Sequence, residues 1–134
     1  MASRIASCFC GQLQIEVQGE PLGVHVCHCV VCQRRTGSAF GYLASFAAPF
    51  KVIGTANVYS WSDEQGDSFT SRFCPTCGST VFSTYCGDPK FVTVEVGSFA
   101  DNAFPPPQKS LYGKNKHGWV QLPAAVAHYE AHEG

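Results

Sequence analysis

The chain has 134 residues, enough for one domain with a modest core, and its 45% hydrophobic and 14% charged residues describe a globular rather than a disordered sequence. A net charge of −1 leaves no footprint for nucleic acid or an anionic membrane surface as a partner. The N-terminus lacks a signal-peptide core, and no stretch approaches the ~20 apolar residues that span a bilayer, so a cytoplasmic location without membrane contact is expected.

The pattern reads mainly as short strands. Leu13, Ile15 and Val17 alternate with glutamines and Glu16, the period of a half-buried strand. Val24 and Val26 flank His25 in a second strand that delivers Cys27. A short helix is predicted from His28 to Thr36, with Gly37 as the residue that ends it. Further strands are predicted at Phe40–Phe46, Phe50–Ile53, Val58–Trp61, Phe69–Phe73, Thr80–Tyr85 and Phe91–Val96. Gly, Pro, Asn and Asp separate them, and spacing this short suggests two packed antiparallel sheets. After Phe99 the character changes. Pro105-Pro106-Pro107 interrupts regular structure, Lys114 to Gly118 reads as an exposed loop, and Trp119 and Leu122 are expected to pin the returning chain. The tail after Pro123 is expected to form one or two helical turns. No repeat or domain boundary is visible, so residues 1–134 read as a single domain.

Seven of the 8 cysteines fall into two sets with metal-ligand spacing. Cys8-x-Cys10-Gly11 and Cys74-x-x-Cys77-Gly78 are two claws far apart in the chain. Four thiolates close a tetrahedral structural zinc site. Closing the loop between the claws costs on the order of 4 kcal/mol in entropy, against about 10–16 kcal/mol for zinc in finger peptides. In a reducing compartment such spacings mark metal ligands rather than disulfides.

Cys27, Cys29 and Cys32 form the second set. A helix beginning at the cluster places Cys29 and Cys32 one turn apart, with Cys27 just before them, so the three sulfurs converge on one ion. Three thiolates leave a position open for a substrate or water, as catalytic zinc sites do. The alternatives are a second closed site, with Cys86 or His28 as fourth ligand, and a redox role for the thiols. Cys86 otherwise reads as a small buried apolar residue. His28 reads as a hydrogen-bond partner behind the cluster or a surface residue. Arg34 and Arg35 suit the last helical turn, and they also stand where they would offset thiolate charge or hold a carboxylate. His128 and His132 read as solvated tail residues.

These motifs together resemble a known family. Cys8-Phe9-Cys10-Gly11, Cys27-His28-Cys29-x-x-Cys32-Gln33-Arg34-x-Thr36-Gly37 and Phe73-Cys74-x-x-Cys77-Gly78 are similar to those of the glutathione-dependent formaldehyde-activating enzymes, a family that includes proteins similar to centromere protein V. The resemblance runs from Cys8 to about Leu122. It implies a β-tent of layered antiparallel sheets with two zinc ions per chain. Cys8, Cys10, Cys74 and Cys77 would hold the structural ion, and Cys27, Cys29 and Cys32 the catalytic-type ion. It also implies a carbon–sulfur lyase that forms or cleaves an adduct between a low-molecular-weight thiol such as glutathione and a small aldehyde such as formaldehyde. Arg34, Arg35 and Lys109 are the candidates to hold the thiol's carboxylates. The alternative is a non-catalytic thiol carrier or a zinc-stabilised interaction module. One position departs from the pattern: many members carry a histidine about nine residues before the late tryptophan, where this chain has Ser110 before Trp119, with Lys109, Lys114 and Lys116 nearby.

Overall fold

A computed structural model describes residues 2–132. The strands are β1 (Ser3–Ser7), β2 (Gln14–Gln18), β3 (Gly23–Cys27), β4 (Gly41–Ala47), β5 (Lys51–Ile53), β6 (Asn57–Ser62), β7 (Ser68–Phe73), β8 (Thr80–Tyr85), β9 (Phe91–Glu95), β10 (Lys109–Leu111) and β11 (Ala127–His128). The α-helix, α1, spans Val30–Thr36, and 3-10 turns lie at Val96–Phe99 and Gly113–Asn115. The protein is mainly β, in two layers. One sheet has 3 strands in the order β1-β2-β5; the other has 8, in the order β11-β10-β3-β4-β9-β8-β7-β6.

Side chains of a strand alternate between faces, and here the alternation separates core from site. Val24, Ala44, Phe46, Phe82, Val92 and Val94 of the large sheet pack against Ala6, Leu13, Ile15 and Val17 from the small-sheet layer. The Phe99 and Phe104 rings close around Phe46 at 5.8 and 6.5 Å between centroids. Each such side chain contributes roughly 1.5–3 kcal/mol by leaving water. On the opposite face, odd-numbered residues of β3, β4 and β6 to β9 come together. His25, Cys27, Leu43, Trp61, Phe69, Ser83 and Thr93 all line one pocket on the far face of the large sheet.

Most pairings are antiparallel, as the sequence predicts, but β10 runs parallel to β3 and to β11. Parallel neighbours need a long crossover, and everything from α1 to Gln108 supplies it. The tail is a strand rather than helical turns. Ala127 N–H donates to Gln108 O at 3.0 Å and Tyr129 N–H to Ser110 O at 2.8 Å, so a sheet edge has taken the backbone groups a helix would have used. Trp119 is 71% exposed and does not pin the chain; Val120 and Val126 are the buried anchors, with Leu122 only half-buried. Cys86 is exposed, at a φ of 49° that turns the chain after β8, instead of buried.

Candidate metal centres and reaction pocket

The four-cysteine set comes together as its spacing predicts. Cys8, Cys10, Cys74 and Cys77 hold their sulfurs within 4.8 Å of one another. The Cys8–Cys10 and Cys10–Cys74 separations are both 3.7 Å. A tetrahedron with zinc–sulfur bonds of about 2.3 Å has an edge of about 3.8 Å, so the spacing fits zinc. The local backbone is built for sulfur anions. Leu13 N–H donates to Cys8 Sγ at 3.3 Å, and the N–H groups of Thr76 and Cys77 point at Cys74 Sγ at 3.3 and 3.5 Å. The backbone around Ser79 and its hydroxyl, 3.4 Å from Cys77 Sγ, hold the Cys77 thiol down at about 5. Gln12 ties the centre to the segment before β6: its amide donates to Cys74 Sγ at 3.1 Å and to Thr55 O at 2.6 Å.

The three-cysteine set lies at the junction of β3 and α1. Cys27 ends the strand, and Cys29 is the helix N-cap, its sulfur accepting from Cys32 N–H at 3.3 Å. The helix begins at Val30, later than predicted, because Cys29 keeps an extended backbone at φ −62° and ψ 157° to act as the cap, while His28 N–H stays with the sheet on Leu111 O at 2.9 Å. The three sulfurs again lie within 4.8 Å of one another. Without a cation, thiols this close cannot all ionise. Hydrogen bonds from Cys27 and Cys32, then backbone N–H groups, hold Cys29 far below the usual thiol range despite burial. Its contact with Cys29 pushes Cys27 far up. One shared negative charge on three converging sulfurs is the chemistry of a site for a thiophilic cation, and zinc fits it.

Behind the cluster, His28 is fully buried, and its Nε2 meets Ser110 Oγ at 3.0 Å. Gln33 braces the same turn, donating to His28 O at 2.8 Å and Asn115 O at 3.1 Å. Arg35 reaches Cys32 Sγ at 3.5 Å and forms an ion pair with Glu95 of β9, both side chains being 12% exposed. Gly41 stands opposite Cys27 in the β3–β4 register, and a Cβ there would come within 3.0 Å of the Arg35 guanidinium. A side chain there would press on the Arg35 guanidinium.

The cluster opens into a pocket of about 330 Å³, at the lower end of the ~300–1,000 Å³ range of small-molecule sites. The large sheet forms one wall, with Trp61 stacked on Phe69 at 4.4 Å. Helix α1 forms another wall, through Val30, Val31 and Arg35. Asp63 and Glu64 of the β6–β7 turn, Tyr112, Asn115 and His132 complete it. Glu64 and Lys114 pair at 3.4 Å, joining the turn to the loop after β10. Burial, then the charges of Glu64, Asp63, Cys27 and Cys29, push the Tyr112 phenol up to about 12.

Of the residues singled out from sequence, the structure brings the seven cysteines into two groups and puts Arg35 beside one of them. Arg34 is exposed, and neither it nor Lys109 is in the pocket lining. Sequence reasoning missed Glu95, Gly41, Trp61, Phe69 and Tyr112. Glu95 carried a signal, as the one charge in the strand Phe91-Val92-Thr93-Val94-Glu95. The others become visible only once strand register is known.

The family model for the glutathione-dependent formaldehyde-activating enzyme matches residues 3–115. The chain belongs to this family. Its match takes in every cysteine of both centres, α1 and Tyr112, while the tail strand β11 lies beyond it. A crystal structure of a protein from Rhodobacter sphaeroides is similar, at 24% identity and a TM-score of 0.55, over 76% of this chain and 91% of that one. At that identity the likeness concerns the fold alone. No curated protein is significantly similar to the chain.

Proposed function

We propose that the pocket joins a low-molecular-weight thiol of the glutathione type to a small aldehyde such as formaldehyde, or cleaves their adduct, as a carbon–sulfur lyase. The observation that carries this reading is the placement of three converging sulfurs, Cys27, Cys29 and Cys32, in the wall of a pocket of small-molecule size. A purely structural centre has no need of one. Zinc held by these cysteines would supply Lewis acidity and favour the thiolate form of a nearby thiol.

The chain's own residues do the rest. Arg35, held by Glu95, offsets negative charge at Cys32 and is therefore assigned to the sulfurs rather than to a substrate carboxylate. Val30, Val31, Leu43 and Phe69 give the pocket an apolar side. Asp63 and Glu64 favour the ammonium end of a glutathione-like thiol. Arg34 and Lys109, outside the lining, are assigned to the carboxylates of a thiol long enough to leave the pocket. In the forward direction the thiol loses its proton to solvent. The sulfur lone pair forms the carbon–sulfur bond as the carbonyl π pair moves to oxygen, and that oxygen takes a proton from water. Cleavage is the reverse.

The test is the rate of S-hydroxymethylglutathione formation from glutathione and formaldehyde, with the uncatalysed rate subtracted. Zinc-loaded protein should accelerate it, and Cys29→Ser should not. Binding of glutathione without acceleration would leave a thiol carrier in place of an enzyme.

A further inference from the structure

Three buried side-chain polar atoms have no hydrogen-bond partner among the described residues: His28 Nδ1, Arg72 Nε and the Tyr112 hydroxyl. Of these residues only Tyr112 lines the reaction pocket. A buried hydroxyl left unpaired costs stability, and folded proteins seldom leave one without a reason. Tyr112 is 8% exposed and packs in one cluster with Cys27 and Cys32. Its backbone is also unusual. At φ 57° and ψ 44° it lies in the left-handed region, which is costly for a non-glycine aromatic residue and recurs at functional sites as well as in turns such as those at Cys86 and Ala100.

That conformation is held from both sides. Tyr112 N–H donates to Ala131 O at 2.8 Å, and Gly113 N–H to Tyr129 O at 2.9 Å, so the tail locks the turn that sets the ring's direction. Lys114 Nζ lies 5.7 Å from the ring centroid, covering it while pairing with Glu64. The result is a phenol fixed in a pocket wall, screened from bulk water, beside the sulfurs, with its donor unused.

We infer that Tyr112 is a catalytic residue whose hydroxyl donates a hydrogen bond to the aldehyde oxygen, and to the oxyanion that develops there as the carbon–sulfur bond forms. The inference rests on the reaction proposed above. The phenol keeps its proton throughout; the proton that ends on the adduct's oxygen comes from water and balances the one the thiol released. An ordered donor in the pocket wall needs little reorganisation during the reaction, and removing a donor to a developing oxyanion typically slows turnover by about 100-fold or more.

Tyr112→Phe is the direct test, because it deletes only an unpaired hydroxyl. Zinc-loaded Y112F should bind glutathione as the wild type does and melt at the same or a higher temperature, while kcat for S-hydroxymethylglutathione formation falls about 100-fold. A tyrosine with a merely structural role would lose stability and keep its kcat. A second measurement does not depend on turnover. In zinc-loaded protein labelled at tyrosine 13Cζ, the resonance absent from Y112F should shift on titration with formamide, an unreactive carbonyl close to formaldehyde in size. An unchanged kcat in Y112F, or a Tyr112 resonance that does not move at saturating formamide, overturns the assignment. If the wild type binds glutathione without accelerating the reaction, the reaction proposal falls, and the formamide titration still decides whether this hydroxyl holds a carbonyl oxygen.

Discussion

Removing the Arg35 guanidinium while keeping most of its volume, as in Arg35→Met, strands the Glu95 carboxylate in a site where its side chain is 12% exposed. Breaking a buried pair by deleting one partner costs about 3–5 kcal/mol, most of it the penalty on the charge left behind. For 134 residues the unfolding entropy is roughly 0.28 kcal/mol/K, so the melting temperature should fall by about 11–18 °C. The loss has a pH signature. Burial already raises the Glu95 pKa, with Arg35 opposing, and removing Arg35 lets it rise further. A carboxyl raised in the folded state holds a proton that the unfolded chain gives up. Its contribution is therefore full below the unfolded value of about 4.3 and is lost as pH climbs through the folded one. Arg35→Met should thus lie closest to the wild type in mild acid and fall behind as pH approaches 7. The double variant Arg35→Met/Glu95→Met, which removes both charges, should recover most of the deficit at neutral pH and lose the extra pH dependence. Thermal melts of the three zinc-loaded proteins between pH 5 and 7.5 measure this. Equal destabilisation of the single and double variants at every pH would refute the reasoning and leave packing, or the contact with Cys32, as the cause.

Other outcomes follow from the same structure. Gly54→Ala places a Cβ 1.8 Å from Gln12 O at a φ of +92°, so urea unfolding should show a loss exceeding the ~1–3 kcal/mol of backbone strain alone. Ser110→Ala strips His28 Nε2 of its buried partner and should cost about 1–3 kcal/mol, read by the same titration. Cys74→Ser should unfold or aggregate the chain because that centre ties the β1–β2 connection to the β7–β8 turn; Cys29→Ser should stay folded with one zinc fewer by elemental analysis. Equal melting losses from the two variants would make the three-cysteine centre structural as well.

Much of this was legible in the sequence where the signal is local. The alternation of Leu13, Ile15 and Val17 marked a strand whose inner face is fully buried. Cysteine spacing marked both groups of sulfurs that could hold a metal ion, because each short motif needs only a tight local turn. Gly37 marked the end of α1, and it is found at a φ of 69° with its N–H on Gln33 O. What failed to read was non-local. The tail has no strand pattern of its own and is ordered by the edge of β10. Trp119 looked like an anchor by size, yet the turn that follows buries Val120 instead. The sheet wall of the pocket draws mostly odd-numbered residues from seven strands, β3, β4 and β6 to β10, and parity has meaning only after register is known. Tyr112 was the hardest to foresee, since nothing in its neighbours announces a left-handed backbone or an unpaired hydroxyl.

The central claim is that Cys27, Cys29 and Cys32 hold a zinc ion at which a small thiol is received. Calorimetric titration of glutathione into wild type carrying two zinc ions per chain, beside folded Cys29→Ser carrying one, tests it most directly. The account predicts saturable binding to the wild type that is abolished in Cys29→Ser. Absence of binding to the fully loaded wild type, or binding of equal affinity in Cys29→Ser, would contradict it.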